Sequence, residues 1–296
     1  MALADGSAEA VRIDTALAEW RQGDVAFDEC WFVHVADVMQ PLSEAATAAS
    51  GSGVSALHSE TAGLVVLTQT CDLVRHCTAR PYLEVAGLRE HDEPGEVTDD
   101  DVWRDAQKGR RPALATFPAL VSRRLAVDLD RVMTLEKSIV AAWKRTEGLL
   151  DDEDARAFAA ALARKRARFA FPDEFTAFAR KLVSRMSSKH DKDTSEGRGL
   201  RALREIRVQA TPHWDADPTS LLFLFVRDPG QHDFEGENWA DLLKKWLALV
   251  PAGGTFTNVD GIVTTLDDMT GADYVGSSRL DLDHLSQGHA EGGNAA

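Results

Sequence analysis

The sequence is poor in the residues on which secreted and membrane proteins depend. Only 3 of its 296 residues are cysteine, and this odd, small number excludes a disulfide scaffold. No run of 18 apolar residues occurs, so no segment is predicted to cross a membrane. The first 19 residues carry Asp5, Glu9 and Asp14 and lack the basic, apolar pattern of a signal peptide, so we expect a cytoplasmic protein.

Several common catalytic motifs are also missing. The chain contains no Gly-x4-Gly-Lys-Ser/Thr, no Gly-x-Gly-x-x-Gly and no Gly-x-Ser-x-Gly. Nucleotide binding through a phosphate loop or a dinucleotide fingerprint, and hydrolysis at a nucleophile elbow, are therefore not predicted. The 44% hydrophobic and 27% charged content is that of a globular protein, and the length suits one large domain or two ordinary ones.

Positive charge is concentrated in the middle of the chain. Residues 1–100 hold 5 Lys and Arg against 18 Asp and Glu, and residues 211–296 hold 4 against 14. Residues 101–210 hold 24 against 16. The net charge of -15 repels a phosphate backbone at long range, whereas the middle segment can present a local basic face. Neutralisation of the basic segment by the acidic ones is the alternative.

Short strands dominate the pattern before residue 140. A helix is predicted over 7–20, with Ser7 as its N-cap, and loops over 41–60 and 89–101. Strands are predicted at 25–27, 31–38, 63–68, 82–86, 113–120 and 125–135. This spacing favours a small β-barrel over residues 20–140 within an α+β protein.

Helices become frequent after residue 140. They are predicted at 136–149, 155–170, 173–187 and 239–250, with a loop over 189–199. Strands are predicted at 204–208, 221–226 and 255–265. The pattern indicates a helical plus α+β region over 141–285, followed by a disordered tail at 287–296.

Four segments of the first half follow a familiar order. They are Gln22-Gly23-Asp24-Val25, Leu64-Val65-Val66-Leu67-Thr68, Tyr82-Leu83-Glu84-Val85-Ala86 and residues 125–137, which end in Thr134-Leu135-Glu136-Lys137. In this order they resemble the "GDV", "VVVLS", "VVVAPLT" and "DQIRTVDK" elements of the MazF and PemK toxin family. The resemblance covers residues 20–140. It implies the small barrel of that family and a place in a bacterial toxin–antitoxin or defence system.

Members of this family are mostly endoribonucleases that need no metal cofactor. They use an Arg just before the second strand and a Thr or Ser just after the third. Here Glu60-Thr61-Ala62 and Gly87-Leu88 stand at those places. The resemblance therefore implies the barrel rather than the ribonuclease, and it implies no cofactor.

The segment after the strand at 63–68 offers the best candidate for local chemistry. Cys71 follows a buried strand, where loops hold functional side chains on a rigid scaffold. His76 can lower the pKa of its thiol, whereas Asp72 raises it. We therefore name Cys71, Asp72 and His76 as candidate catalytic residues. A structural Cys beside a capping Asp72, or a binding role, is the alternative.

Cysteine and histidine also recur in a pattern that raises the question of zinc. The residues concerned are Cys30, His34, Cys71, His76 and Cys77. Residues four apart on a strand lie about 13 Å apart, which is too far for one ion unless a turn intervenes. We therefore predict no metal site.

The basic middle segment is the candidate contact surface. The candidate nucleic-acid-binding residues are Arg164, Lys165, Arg166, Arg168, Arg180, Lys181, Arg185, Arg204 and Arg207. Four phenylalanines interleave with them, a pattern that suits single-strand stacking but also an amphipathic helix with a Phe core. We predict a non-catalytic module that associates with RNA, DNA or a protein partner and not with a membrane. An endoribonuclease-like or Cys71-dependent enzyme is the alternative.

Overall fold

A computed structural model describes residues 4, 6–49, 51, 53–91, 97–167, 169–217, 219–230 and 238–280. The predicted tail at 287–296 and the side chain of Arg168 lie outside this range. The chain divides into two compact units, Met1–Arg166 and Ala167–Ala296. Both units mix helices with strands, which confirms the α+β class. Among the described residues, no helix has the length and apolar character that a membrane crossing requires.

The first unit alternates short helices with strands. Its helices are α1 (Ala8–Leu17), α2 (Glu44–Ala48), α3 (Thr70–Leu73), α4 (Val97–Gln107), α5 (Pro118–Val121), α6 (Lys137–Val140) and α7 (Asp152–Arg166). Its strands are β1 (Val25–Ala26), β2 (Trp31–Asp37), β3 (Val54–Glu60), β4 (Leu64–Val66), β5 (Tyr82–Glu90), β6 (Leu114–Ala115) and β7 (Leu125–Glu136). Ser7 caps α1 as predicted, since its hydroxyl accepts from the Ala10 amide at 3.2 Å.

Five strands form one antiparallel sheet in the order β1-β4-β5-β7-β6. Alternate residues of β4, β5 and β7 enter two different cores. Leu83 and Val85 face the core that contains α1, and Ala86 faces the core that contains Phe158 of α7. The sheet is buried on both faces because each strand carries apolar residues of both parities.

The described strands do not close into a barrel. β1 and β6 are the edges of the five-stranded sheet, while β2 and β3 pair with each other in a separate two-stranded sheet. The loop predicted over 41–60 is wrong, because this segment forms α2 and β3. In β3 the half-buried positions are Ser55, Leu57 and Ser59, and the exposed ones include Val54. Polar residues on the covered side hide the alternation that predicts a strand.

Two further segments correct the predicted elements. The strand predicted over 113–120 ends at Ala115, and Pro118 opens α5, where its missing N–H costs nothing. The helix predicted over 136–149 ends at Val140. Part of the loop predicted over 89–101 belongs to α4, and its residues 92–96 lie outside the described range.

The Gly23-Asp24 pair fixes the start of the sheet. Gly23 has a φ of +90°, and a Cβ there would lie 2.5 Å from a Leu149 methyl group. The buried Asp24 carboxylate accepts from the Arg21 amide at 2.7 Å and from Arg145 Nε at 2.8 Å. It therefore ties the segment around Arg145 to β1.

The second unit packs helices on a four-stranded sheet. Its helices are α8 (Asp173–Lys189), α9 (Ser195–Ala202), α10 (Trp239–Leu247) and α11 (Gly271–Val275), with a 3-10 turn at Trp214–Ala216. Its strands are β8 (Leu203–Thr211), β9 (Ser220–Arg227), β10 (Asn258–Thr264) and β11 (Ser278–Arg279). The strand order is β10-β9-β8-β11, and β10 runs parallel to β9 after α10.

An aromatic core holds this unit together. Phe175 of α8 and Trp246 of α10 are fully buried, and the Trp246 ring stacks on Phe225 of β9 with centroids 4.9 Å apart. Phe171 and Phe178 pack against the same core. The interpretation of the phenylalanines as core residues is therefore confirmed for Phe171, Phe175 and Phe178, whereas Phe169 is 43% exposed. The loop predicted over 189–199 is wrong at its end, because α9 begins at Ser195.

We predict that Asp24→Ala destabilises the first unit. The substitution leaves the Arg21 amide and the partly buried Arg145 guanidinium without their acceptor, so unfolding free energy should fall by roughly 2–4 kcal/mol. Urea unfolding followed by tryptophan fluorescence measures this change. Asp28→Ala is the matched control, since that carboxylate is 71% exposed. Equal unfolding midpoints for the two variants would contradict the assigned role of Asp24.

Candidate functional site

The three candidate catalytic residues lie on one turn, residues 70–77, which follows β4 and includes α3. The turn is attached to the preceding strand through Thr70 and Gln22. The Gln22 amide donates to Thr70 Oγ1 at 3.1 Å, and its side chain donates to the Leu67 carbonyl at 2.7 Å. The position of the turn thus depends on a residue 48 positions earlier in the chain.

A buried lysine holds the other end of the turn. Lys137, at the start of α6, is 1% exposed. Its Nζ donates to the main-chain carbonyls of Asp72 at 2.9 Å, Leu73 at 2.8 Å and Arg75 at 2.6 Å. These carbonyls lie at the C-terminal end of α3, where a cation is favoured. Burial lowers the pKa of Lys137 from its ordinary value of 10.5, and attraction to Asp14 opposes that shift.

Asp14 of α1 holds the turn from a third direction. Its Oδ1 accepts from the Cys77 amide at 2.8 Å, and its Oδ2 lies 2.8 Å from His76 Nδ1. The Asp14 side chain is 23% exposed and that of His76 is 55% exposed. One oxygen of the Asp14 carboxylate therefore orients the imidazole, and the other oxygen holds the end of the turn.

The three thiols lie in different environments. Cys71 is exposed, and its Sγ lies 3.7 Å from Gln69 Oε1. Cys77 is buried and its Sγ lies 3.7 Å from the Ala10 carbonyl. Burial raises the pKa of the Cys77 thiol, and the nearby Asp14 raises it further. Cys77 is therefore an inert structural thiol, while Cys30 and Cys71 are open to solvent.

The geometry brings the candidate catalytic residues together without assembling a nucleophile and its base. His76 is oriented by Asp14, Cys71 contacts Gln69, and the Asp72 carboxylate lies 3.3 Å from Arg75 Nε. A Cys–His pair needs the imidazole within hydrogen-bond reach of the thiol. The contacts seen here instead fix the shape of the turn. Within the described part of the chain, no group of three or more His, Cys, Asp or Glu side chains forms a metal site.

A cleft of about 650 Å³ opens beside the turn in the first unit. Asp72 is the one candidate catalytic residue that lines it. The other lining residues come from the ends of β4 and β5, from β7 and from one face of α7: Gln22, Leu67, Thr68, Gln69, Tyr82, Leu83, Glu84, Thr134, Ala159, Leu162, Ala163 and Arg166. Sequence reasoning missed these lining residues. The alternation in Tyr82-Leu83-Glu84, just before the buried residues 85–88 of β5, is the signal that could have pointed to them.

The basic residues of α7 are engaged within the first unit. Lys165 pairs with Asp130, and Arg166 Nη2 lies 2.7 Å from Glu84 Oε2. Arg164 is partly buried. These three candidate residues therefore support local contacts of α7 rather than an open basic surface.

The candidate residues of the second unit divide into exposed and engaged groups. Arg180, Lys181 and Arg204 are exposed. Arg185 makes a two-pronged contact with the buried Glu196 carboxylate at 3.0 and 2.7 Å. Arg207 is 8% exposed, and its guanidinium donates to Ser277 Oγ and to the Tyr274 and Ser277 carbonyls. Because it is buried in this way, Arg207 is unsuited to contact nucleic acid.

We predict that two of the three thiols react rapidly with Ellman's reagent in the native protein. Cys30 and Cys71 are exposed, whereas Cys77 is buried with a raised pKa. Cys71→Ser should remove one fast equivalent and Cys77→Ser should remove the slow one. In denaturant all three thiols should react at similar rates, and a fast native reaction of Cys77 would contradict the assignment.

We predict that Lys137→Met loosens the 70–77 turn and lowers the unfolding free energy by roughly 2–4 kcal/mol, because three carbonyls lose a charged donor. Lys144→Met is the control, since that side chain is 81% exposed. The unfolded chain holds the Lys137 proton more tightly than the folded one. The stability of the parent relative to Lys137→Met should therefore rise with pH between the lowered folded pKa and 10.5. Urea unfolding at several pH values measures both effects, and a pH-independent difference would contradict a buried ammonium group.

The chain was also compared with known proteins. No protein-family model matches it, and no curated protein matches it significantly.

Proposed function

We propose that this protein is a non-catalytic module that associates with nucleic acid through the exposed face of α8. This face consists of Ala177, Arg180, Lys181, Ser184 and Ser188, which recur at helical spacing and are all exposed. Beyond its first turn, α8 carries no Asp or Glu. The absence of carboxylates from α8 beyond its first turn is the single observation that carries the proposal.

The chemistry of the α8 face suits phosphate rather than bases. Arg180 and Lys181 supply charge, and two serine hydroxyls lie within one or two helical turns of them. Phosphate contacts typically come from Arg, Lys and Ser side chains, and they position a protein without reading sequence. Arg185 lies at the border of the face, where Glu196 holds its guanidinium. We therefore expect weak, sequence-independent and salt-sensitive binding.

The geometry of the 70–77 turn supports the non-catalytic part of the proposal. His76 Nδ1 lies 2.8 Å from the Asp14 carboxylate, and Lys137 donates to three carbonyls. Lys137 thus acts on the backbone of the turn, and Asp14 contacts the imidazole. A Cys71-dependent enzyme would need the imidazole at the thiol, and the described contacts do not favour it.

The proposal includes a barrel origin for the first unit and a place in a bacterial toxin or defence system. In support, the four segments that carry the resemblance to the MazF and PemK family overlap β1, β4, β5 and β7 in turn. These strands are hydrogen-bonded neighbours in that order. Genes for a nuclease, an ATPase or a toxin beside this one would agree with such a setting. A protein partner that contacts the acidic segments would also fit a bacterial toxin or defence system.

We predict that Arg180→Glu/Lys181→Glu weakens binding to labelled RNA and DNA oligonucleotides in fluorescence anisotropy. The log–log salt slope should fall by roughly 1–2, since about 0.9 is lost for each phosphate contact removed. Lys144→Glu/Arg156→Glu is the control, because it reverses the same number of charges at exposed positions of the first unit. Equal loss in both variants, or no binding at low salt, would contradict the α8 face.

Incubation of the same labelled RNA with the parent protein, with and without a chelator, tests the absence of catalysis. Intact RNA agrees with the proposal. Cleavage that Cys71→Ala abolishes would replace it with a Cys71-dependent enzyme.

A further inference from the structure

The cleft beside the 70–77 turn interrupts an otherwise apolar sheet face. On this face Ala86 of β5 lies opposite Val132 of β7, and both belong to the core beneath α7. The next pair toward the cleft is Glu84 opposite Thr134, and the pair after it begins with Tyr82. Core packing does not require polar residues under a helix, so this change of polarity points to a ligand.

The opposite wall of the cleft is flat and apolar. It is formed by Ala159, Leu162 and Ala163 on one face of α7, which recur at i, i+3 and i+4. Small side chains on a helix let a planar group approach closely. Tyr82, at the mouth of the cleft, is 60% exposed and so leaves an aromatic surface uncovered. An apolar wall facing a polar sheet suits a planar ring whose edges make hydrogen bonds.

The polar groups of the cleft favour an uncharged ligand. Glu84 Oε2 accepts from Arg166 at 2.7 Å, and Asp72 lies 3.3 Å from Arg75 Nε. The cleft is lined by two carboxylates, those of Asp72 and Glu84, and by one guanidinium group, that of Arg166, so it does not attract phosphate. Glu84 Oε1 has no hydrogen-bond partner among the described residues, and Thr68, Gln69 and Thr134 add hydroxyl and amide groups. Because a carboxylate can only accept, it favours a ring edge rich in N–H donors.

We infer that this cleft binds a single nucleobase, with guanine preferred because its N1–H and N2–H groups lie side by side and can both donate to Glu84. The ring lies between the α7 wall and the sheet, with Tyr82 at the open side. This inference rests on the proposed function, because it names the part of a nucleic acid that the first unit would recognise. Base recognition is a property that the α8 face lacks.

The test uses uncharged nucleosides, which avoid any contribution from phosphate. Saturation-transfer NMR with the full-length protein should detect guanosine, and it should detect uridine less strongly. Ala163→Trp fills the cleft and should weaken guanosine binding by about tenfold or more. Ala160→Trp is the matched control, because Ala160 is exposed on α7 like Ala163 but does not line the cleft. Raising the salt concentration should leave guanosine binding unchanged, since the ligand carries no charge.

Each outcome decides a separate question. Absence of guanosine binding to the parent protein, or equal binding by Ala163→Trp and the parent, overturns the inference. If Ala163→Trp does not fold, Thr134→Val removes one lining hydroxyl at constant shape and should weaken guanosine binding. Salt-sensitive oligonucleotide binding without nucleoside binding would support the proposal for the α8 face and contradict the inference for the cleft. Guanosine binding without oligonucleotide binding would support the inference for the cleft and contradict the proposal for the α8 face.

Discussion

One buried ammonium group governs the geometry of the candidate site. Lys137 Nζ satisfies three carbonyls at the end of α3 with a single cation, so the 70–77 turn is fixed to the start of α6. A buried charge is costly unless it is fully hydrogen-bonded, and here each N–H has an acceptor. Asp14 completes the arrangement from α1, so three distant segments meet at one turn. Asp72 lines the cleft because Lys137 holds the main-chain carbonyl of Asp72 in place.

Several residues that suggest a toxin-like barrel have a structural role in this chain. Gly23 adopts a positive φ against Leu149, Asp24 ties Arg145 to β1, and Lys137 holds the 70–77 turn. Each of them belongs to one of the segments that carry the resemblance. The places where that family holds its catalytic Arg and hydroxyl instead carry Glu60-Thr61-Ala62 and Gly87-Leu88. The residues on which the resemblance rests therefore shape the backbone of this chain, and a fold by itself does not imply a reaction.

Local patterns predicted the elements that depend on local chemistry. Ser7 caps α1, β4 follows from a run of apolar residues, and α8 follows from its apolar stripe. β3 escaped prediction because Ser55 and Ser59 occupy its covered side, so only pairing with β2 reveals it. The helix predicted over 136–149 ended early because Val25 pairs with Thr146 across the chain, which draws that segment into an extended bridge.

Only the part of the candidate site that depends on neighbouring residues in the sequence was predicted. Cys71, Asp72 and His76 do lie on one turn, as their sequence proximity requires. Their roles depend on Lys137 and Asp14, which lie more than 60 positions away, and sequence spacing carries no information on such contacts. Arg207 was predicted to contact nucleic acid because it lies in a basic segment. In the structure it is buried, and its guanidinium donates to Ser277.

The net charge of -15 repels a phosphate backbone at long range, but it does not exclude the phosphate contacts proposed for α8. At physiological salt, charges separated by more than about 8 Å of solvent are largely screened, so a ligand responds mainly to the groups it touches. On the α8 face those groups are Arg180, Lys181 and two serines, without a carboxylate among them. In the cleft they are two carboxylates and one guanidinium group beside an apolar helix face. The two proposed surfaces therefore differ in kind: the α8 face offers charge that suits any nucleic acid, and the cleft offers hydrogen-bonding groups that suit the edge of an uncharged ring.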